Sequence, residues 1–255
     1  MRVISMGWGV QSWALAAMSA LGELPPVDVA IHADTGWERS ETLAFAKRWT
    51  PWLESRGVRV VTLHSKGQCV EPRLNTLAVN IPVFTAYPDG TESGQMRRQC
   101  THDWKMAPIR RWLQANRNKQ PIEMWLGITR DEIGRVKPSG VKYIENVYPF
   151  IDADPPMSRI DVLHWLATHD LEAPVKSGCF ICPFHSRATW RDIQRNGNGN
   201  WQRALEVDAA IRDKRPGYVC YLSPARKPLA ECDFSAPEDH GQMLMWEECS
   251  GMCFV

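Results

Sequence analysis

The sequence predicts an α/β fold, a parallel sheet with helices on both faces, followed by a Cys-rich C-terminal elaboration. Two observations carry that expectation. Short, apolar and β-branched runs alternate along the chain with longer segments of helical period. The runs also lack the in/out alternation of a half-exposed strand, as expected where both faces of a sheet are covered. With 255 residues the chain has room for one full α/β domain and a smaller appended region. Residues 1–170 are assigned to the main domain, and residues 171–255 to a Cys-containing region expected to pack on it rather than fold alone.

Arg2 to Ser5 reads as the first strand, and Gln11 to Leu21 as the helix after a short loop. Val27 to His32 is a second strand, ending at Asp34-Thr35-Gly36. Glu41 to Ser55 has helical period, with apolar Leu43, Phe45, Trp49, Trp52 and Leu53. Val58 to Leu63 is an uninterrupted third strand. From about Ser65 to Gln99, Gly, Pro and Thr break the rhythm and predict a loop or small hairpin near the site. Trp104 to Gln114 is a helix, and Ile122 to Gly127 a strand leading into Ile128-Thr129-Arg130. Ser158 to Thr168 and Trp201 to Arg212 are helix-like; Ser177 to Ser186 and Glu247 to Val255 are Cys-bearing loops.

Thirty basic residues against 29 acidic give a net charge of +1, so nucleic-acid binding would need a local patch. No apolar run is long enough to span a bilayer, and the sequence is expected to lack a secretory signal. The eight Cys are therefore expected in a reducing compartment, the cytoplasm, as metal ligands or redox groups rather than a disulfide framework.

Three strand ends carry polar groups. Between the first strand and its helix lies Ser5-Met6-Gly7-Trp8-Gly9-Val10-Gln11-Ser12. A helix N-terminus offers unpaired N–H groups and a positive dipole to an anion. Gly7 and Gly9 allow close backbone approach, and Ser5 and Ser12 offer hydroxyls. The bland alternative is a tight turn with no ligand. Asp34-Thr35-Gly36-Trp37-Glu38 follows the second strand, and Gly127 to Glu132 a later one. Parallel strands would bring all three to one edge. Locally, Asp34, Thr35 and Glu38 also read as a helix cap, and Asp131 and Glu132 as the acidic first turn of a helix.

These segments together resemble the pyrophosphate-loop ATPases of the adenine nucleotide alpha hydrolase superfamily. The similar branch is that of the phosphoadenosine phosphosulfate reductases and their phage and bacterial relatives. The resemblance runs from Ser5 to the C-terminal Cys pair. It implies a Rossmann-like, HUP-type fold with ATP or another adenine nucleotide lying across the strand ends. Ser5, Gly7, Gly9, Gln11 and Ser12 would hold phosphate or sulfate, with His32, Asp34 and Gly127 beside the nucleotide. The commonest loop in the family reads Ser-Gly-Gly-x-Asp-Ser. This one has Met6 and lacks the acidic residue, so the resemblance implies binding without fixing the reaction.

Cys179-Phe180-Ile181-Cys182 is a CxxC, whose spacing suits a shared metal, a cluster or a redox pair. Cys100, Cys249 and Cys253 also stand in polar or glycine-containing contexts; for Cys69 and Cys220 a small buried residue is the preferred reading. Spacing leaves a [4Fe–4S] cluster and a Cys₄ zinc both open, and the resemblance favours the cluster. The assigned ligands are Cys100, Cys179 and Cys182, with Cys249 or Cys253 as the fourth; Cys253 is taken where Cys249 is the reactive thiol. Glu248-Cys249-Ser250-Gly251 resembles the reductases' C-terminal nucleophile motif, which implies a catalytic Cys249. Asp34 and Lys105 complete the candidate catalytic residues.

Arg97, Arg98, Lys105, Arg110 and Arg111 form a basic stretch around Cys100, suited to phosphate; for Arg110 and Arg111 a solvated helix face is preferred. Arg130 or Arg135 would clamp a phosphate from the later strand end. His185 is expected to adjoin the metal site. The expected function is adenine-nucleotide-dependent sulfur or adenylyl transfer. The acceptor would be a nucleic acid or small molecule, and the donor a sulfur- or electron-carrying protein. The alternatives are a sulfonucleotide reductase releasing sulfite and a non-catalytic nucleotide-binding module with structural zinc.

Overall fold

The computed structural model describes residues 1–64 and 81–235. They fall into two compact units, one of residues 1–64 and 103–178, the other of residues 81–102 and 179–235.

The first unit is built on β1 (Arg2–Met6), β2 (Val29–Asp34), β3 (Val60–His64), β6 (Ile122–Trp125) and β7 (Ile144–Val147). Their order is β3-β2-β1-β6-β7 and every neighbouring pair is parallel. Helices α1 (Val10–Leu21), α2 (Ser40–Glu54) and α5 (Arg159–Thr168) lie against one face. There Ile4, Met6, Ala30 and Trp125 pack with Trp13, Phe45, Leu53, Val162 and Leu166. Helix α3 (Ala107–Asn116) covers the other, where Val3, Val29, Ile31 and Met124 pack with Leu113. Successive side chains thus enter opposite cores, which is why β1 and β2 read as continuous apolar runs. The expected fold class is the observed one.

Much of the tryptophan content sits at one place. Trp13 of α1 lies 4.9 Å from Trp49, 5.5 Å from Phe45 and 5.6 Å from Trp52 of α2, ring centre to ring centre. This aromatic wedge fixes α1, and with it the loop that precedes it. Helix α5 starts at a capping box: the Ser158 hydroxyl accepts from the Asp161 N–H while Asp161 accepts from Ser158.

The second unit holds a three-stranded antiparallel sheet, β5-β4-β8, from β4 (Phe84–Ala86), β5 (Glu92–Gln95) and β8 (Val219–Tyr221). Helices α6 (Arg187–Asn196) and α7 (Asn200–Ala210) follow the CxxC segment. Buried Asp208 of α7 accepts from the N–H groups of Leu222 and Leu229, each at 2.9 Å, and so pins the chain leaving β8. The hairpin of β4 and β5 falls inside the segment read as loop or hairpin. β7, β8 and α6 are additions to the expected elements, along with the short helix α4 (Pro149–Asp152). Among the described residues, no helix is long and apolar enough to cross a membrane.

Candidate functional site at the strand ends

Because β2, β1 and β6 are adjacent and parallel, their C-terminal ends share one edge of the sheet. Open α/β sheets bind ligands at such edges. Ser5 is still within β1, and Met6 is its last residue. Helix α1 begins at Val10 with Gly9 as its N-cap, no side-chain cap and no acidic residue in its first turn. Its N-terminal N–H groups therefore lack an anionic partner from their own helix. The Ser12 hydroxyl accepts from the Gly7 N–H at 3.1 Å and donates to the Gly9 carbonyl at 3.2 Å. Ser12 thus holds the loop in shape. Trp8 adopts a left-handed φ of 54°, costly for a bulky side chain, while its ring is buried against Trp13 and Phe45.

A Cβ at Gly7 would meet nothing nearer than the Ser12 oxygen, at 3.9 Å. No internal crowding demands glycine there. Gly127 differs. A Cβ on it would lie 2.9 Å from the carbonyl carbon and Cβ of Gln11 and 3.0 Å from the Ser12 nitrogen. Its bareness lets the end of β6 pass against the first turn of α1. Sequence reading placed Gly127 beside the nucleotide; what the structure shows is a packing role.

At the end of β2, the Asp34 carboxylate accepts from the Gly36 N–H at 2.8 Å and lies 3.4 Å from His64 Nδ1. Neither Asp34 nor Thr35 caps α2, whose N-cap is Arg39 without a side-chain bond. Glu38, which locally completes a capping pattern, is instead buried. Its Oε1 accepts from the Thr35 hydroxyl at 3.4 Å and from Lys105 Nζ at 3.0 Å. Lys105 arrives on a π-helical turn, Thr101–Met106, of the kind that recurs at functional sites. Glu38 is the principal residue that sequence reading missed as a site group.

His32 is also buried. Its Nδ1 bonds to the Met6 carbonyl at 3.1 Å, just before the loop, while Nε2 has no hydrogen-bond partner. Since a carbonyl only accepts, Nδ1 carries the proton and Nε2 of the neutral ring is an acceptor. Burial holds the imidazole below its ordinary 6.5, against the opposing pull of Glu38. A depressed histidine pKa contributes stability that is present above the unfolded value. It is lost as pH falls from about 6.5 towards the folded value, because the unfolded chain takes the proton first. His32→Gln is therefore expected to flatten the pH dependence of urea denaturation between pH 5 and 7, a window set by the ordinary histidine value. Equal pH slopes for the two proteins would refute it.

At the end of β6, Thr129 is buried and Arg130–Arg135 forms a 3-10 turn with Asp131 and Glu132 at its start. Gln11 donates to Glu132 at 3.4 Å and accepts from Arg159 at 3.3 Å, while Arg135 pairs with Glu132. Arg130 is exposed and 3.9 Å from Asp161. The loop of α1 is thereby laced to the β6 end through Gln11.

Cys100, Cys179 and Cys182 are half-buried members of the second unit. The CxxC is a turn: the Cys182 N–H donates to the Cys179 carbonyl at 3.0 Å, and His185 closes it through Nε2 on that same carbonyl at 2.8 Å. His185 thus clamps the turn through its ring. Arg98 lies over Phe184 at 5.5 Å. Cys220 is fully buried in β8, with its thiol pushed up by burial, in keeping with the small-core reading. Arg110 and Arg111 lie on α3, Arg111 exposed. Cys69, Cys249 and Cys253 lie outside the described residues. Among those described, no group of three or more His, Cys, Asp or Glu side chains is arranged to hold a metal. The fourth thiolate of the expected set, Cys253, lies outside them.

Fold and site define an α/β protein with a doubly covered parallel sheet and a polar, partly buried edge. No protein-family model matches the sequence, and no curated protein matches it. Among solved structures, the chain is similar to a phosphoadenylyl-sulfate (PAPS) reductase from Candida auris in a phosphate complex. The identity is 12% and the TM-score 0.48, over 68% of this chain and 74% of that one. It is also similar to the U34-tRNA thiolase NcsA from Methanococcus maripaludis with its [4Fe-4S] cluster. There the identity is 13% and the TM-score 0.42, over 84% of this chain and 72% of that one.

Proposed function

We propose that the C-terminal edge of the five-stranded sheet binds an adenine nucleotide, and that the protein is an enzyme of sulfur or adenylyl transfer. The observation that carries this reading is the uncapped start of α1, with Gly7 open in front of it and the loop already folded by Ser12. Preformed N–H donors at a helix N-terminus suit a phosphate and need little reordering to receive it. The adenine moiety and the transfer chemistry rest on the resemblance of the three strand-end segments to the pyrophosphate-loop family. In this reading Lys105 meets the charge that develops on the nucleotide, and Glu38 holds its ammonium in place. Arg130, exposed at the β6 end, is the candidate phosphate clamp. A cluster on Cys100, Cys179, Cys182 and Cys253, or a zinc in its stead, belongs to the same proposal, as does a nucleophilic Cys249. So does a cytoplasmic location.

Calorimetric titration with ATP tests the binding. Gly7→Ala has room for its methyl group in the protein itself, so its melting temperature is expected to stay unchanged. ATP affinity is expected to fall about tenfold, because the methyl stands where the phosphate approaches. No binding by the unmodified protein, or equal binding by the variant, would refute the reading. Release of AMP or pyrophosphate from ATP, set against sulfite release from a sulfated adenine nucleotide, separates transfer from reduction. Iron, sulfide and zinc content of protein kept from air identifies the metal.

A further inference from the structure

The three-stranded sheet of the second unit carries aromatic rings and arginines beside Phe84 and Tyr221 and just past its strand ends. Phe84 of β4 stands opposite Tyr221 of β8, both half-buried, whereas the next pair, Thr85 and Cys220, is buried. Arg226 lies over the Phe84 ring at 5.9 Å and Arg212 over Tyr221 at 4.1 Å. Just past the strand ends, Tyr87 and Tyr218 stand ring to ring, with centres 5.4 Å apart and planes at 32°. Arg215 lies 5.1 Å from the Tyr218 ring, and Tyr87 is 45% exposed.

Both tyrosines are set on fixed turns. The Tyr87 N–H donates to Thr91 at 2.8 Å, and its carbonyl accepts from Gly90 at 2.9 Å. The Tyr218 N–H donates to Arg215 at 3.1 Å. Little order remains to be gained on binding, which favours a ligand that stacks. Asp208 pairs with Arg212 and Glu92 with Arg226, so the charge of those two is partly met. Among the described residues, Arg215 has no acidic partner within ion-pair distance.

We propose that the Tyr87–Tyr218 pair at the end of this sheet binds single-stranded nucleic acid, with a base stacked on Tyr87 and its phosphate met by Arg215. Rings interleaved with guanidiniums suit that ligand for two reasons. Every base has a flat π face, so stacking needs no particular sequence, and a guanidinium matches a phosphate oxygen pair. In a duplex the base faces are already stacked on one another, which sets single strands apart. The surface differs from the basic stretch around Cys100, and the proposal does not rest on the nucleotide reading.

Fluorescence anisotropy of the full chain with labelled oligouridine, oligothymidine and a DNA duplex tests it. Single strands are expected to bind, more weakly as salt rises. Tyr87→Ala is expected to weaken binding about 5- to 100-fold, while Tyr87→Phe preserves it. Arg215→Ala is expected to lower the salt slope by about 0.7. Both positions are at the surface, and a melting curve confirms that each variant is folded. ATP titration of Tyr87→Ala is the separate readout of the other site and is expected to be unchanged. Any of three results would overturn the proposal: no binding of single strands at low salt, binding indifferent to both Tyr87→Ala and Arg215→Ala, or equal binding of duplex or an oligo-aspartate peptide.

Discussion

Gly127→Ala is expected to cost about 1–3 kcal/mol of stability, the range for forcing an added methyl into a packed contact. The atoms it meets decide the size. Two of the three are main-chain atoms of Gln11 and Ser12 in the first turn of α1, and the third is the Gln11 Cβ. None is the far end of a flexible side chain that swings aside. The turn is itself held by the Trp13 N–H on the Gly9 carbonyl at 2.9 Å and by the aromatic wedge behind it. The methyl must therefore move either the end of β6 or the helix. Moving the helix carries the Gly7 loop with it, so on the proposed reading ATP affinity falls together with stability. Urea denaturation and calorimetric titration of the same variant check both. A variant of unchanged stability would show that the contact relaxes freely. The contrast with Gly7→Ala, expected to lose affinity alone, separates a glycine that spaces two elements from one that admits a ligand.

Lys105→Met is expected to be more destabilising than Glu38→Gln, by an asymmetry that follows from burial. Only 1% of the Glu38 side chain is exposed, against 30% for Lys105. Removing the ammonium leaves a carboxylate shut away from water with one cation fewer. Breaking a buried pair in this way costs about 3–5 kcal/mol, and the partial exposure of Lys105 brings the expectation to about 2–4. Removing the carboxylate leaves an ammonium that water can reach, and the expected loss is about 1 kcal/mol. Denaturation of both variants and of the double variant gives the coupling directly. If the two single losses are equal, or the Glu38 loss is larger, the pair is not the anchor described. On the proposed function, turnover is expected to fall for both, and much further for Lys105→Met.

The sheet was legible in the sequence where burial on two faces leaves a run of apolar residues, as in Val3-Ile4 and Val29-Ala30-Ile31. It was not legible at β7, where Glu145 and Asn146 interrupt a four-residue edge strand, nor at β8, which is three residues long. Helix α6 escaped notice because most of its residues are polar and only Thr189, Trp190 and Ile193 are buried. At the site, Asp34 and Lys105 were singled out, each from its own local motif. Glu38 was read as a cap because Asp-Thr-x-x-Glu satisfies the local capping pattern. What it pairs with is Lys105, far along the chain, and such a pairing leaves no trace in local spacing. Likewise Ser12 offers a hydroxyl in the sequence, but only the folded loop shows that Gly7 and Gly9 already engage it.

The interleaving of the two units governs how the chain must assemble. β1 pairs with β6, Arg2 beside Glu123, and between them the polypeptide departs to lay down the β4–β5 hairpin. That hairpin waits in turn for β8, with Thr85 beside Cys220. A chain emerging from a ribosome can therefore close neither sheet by the time it has made the first five strands. Each closure joins distant segments, the arrangement that slows folding and leaves strand edges exposed meanwhile. Any division of the gene into two contiguous halves would part β4 from β8 or β1 from β6. Splitting the protein for study thus requires grafting two segments rather than a single cut.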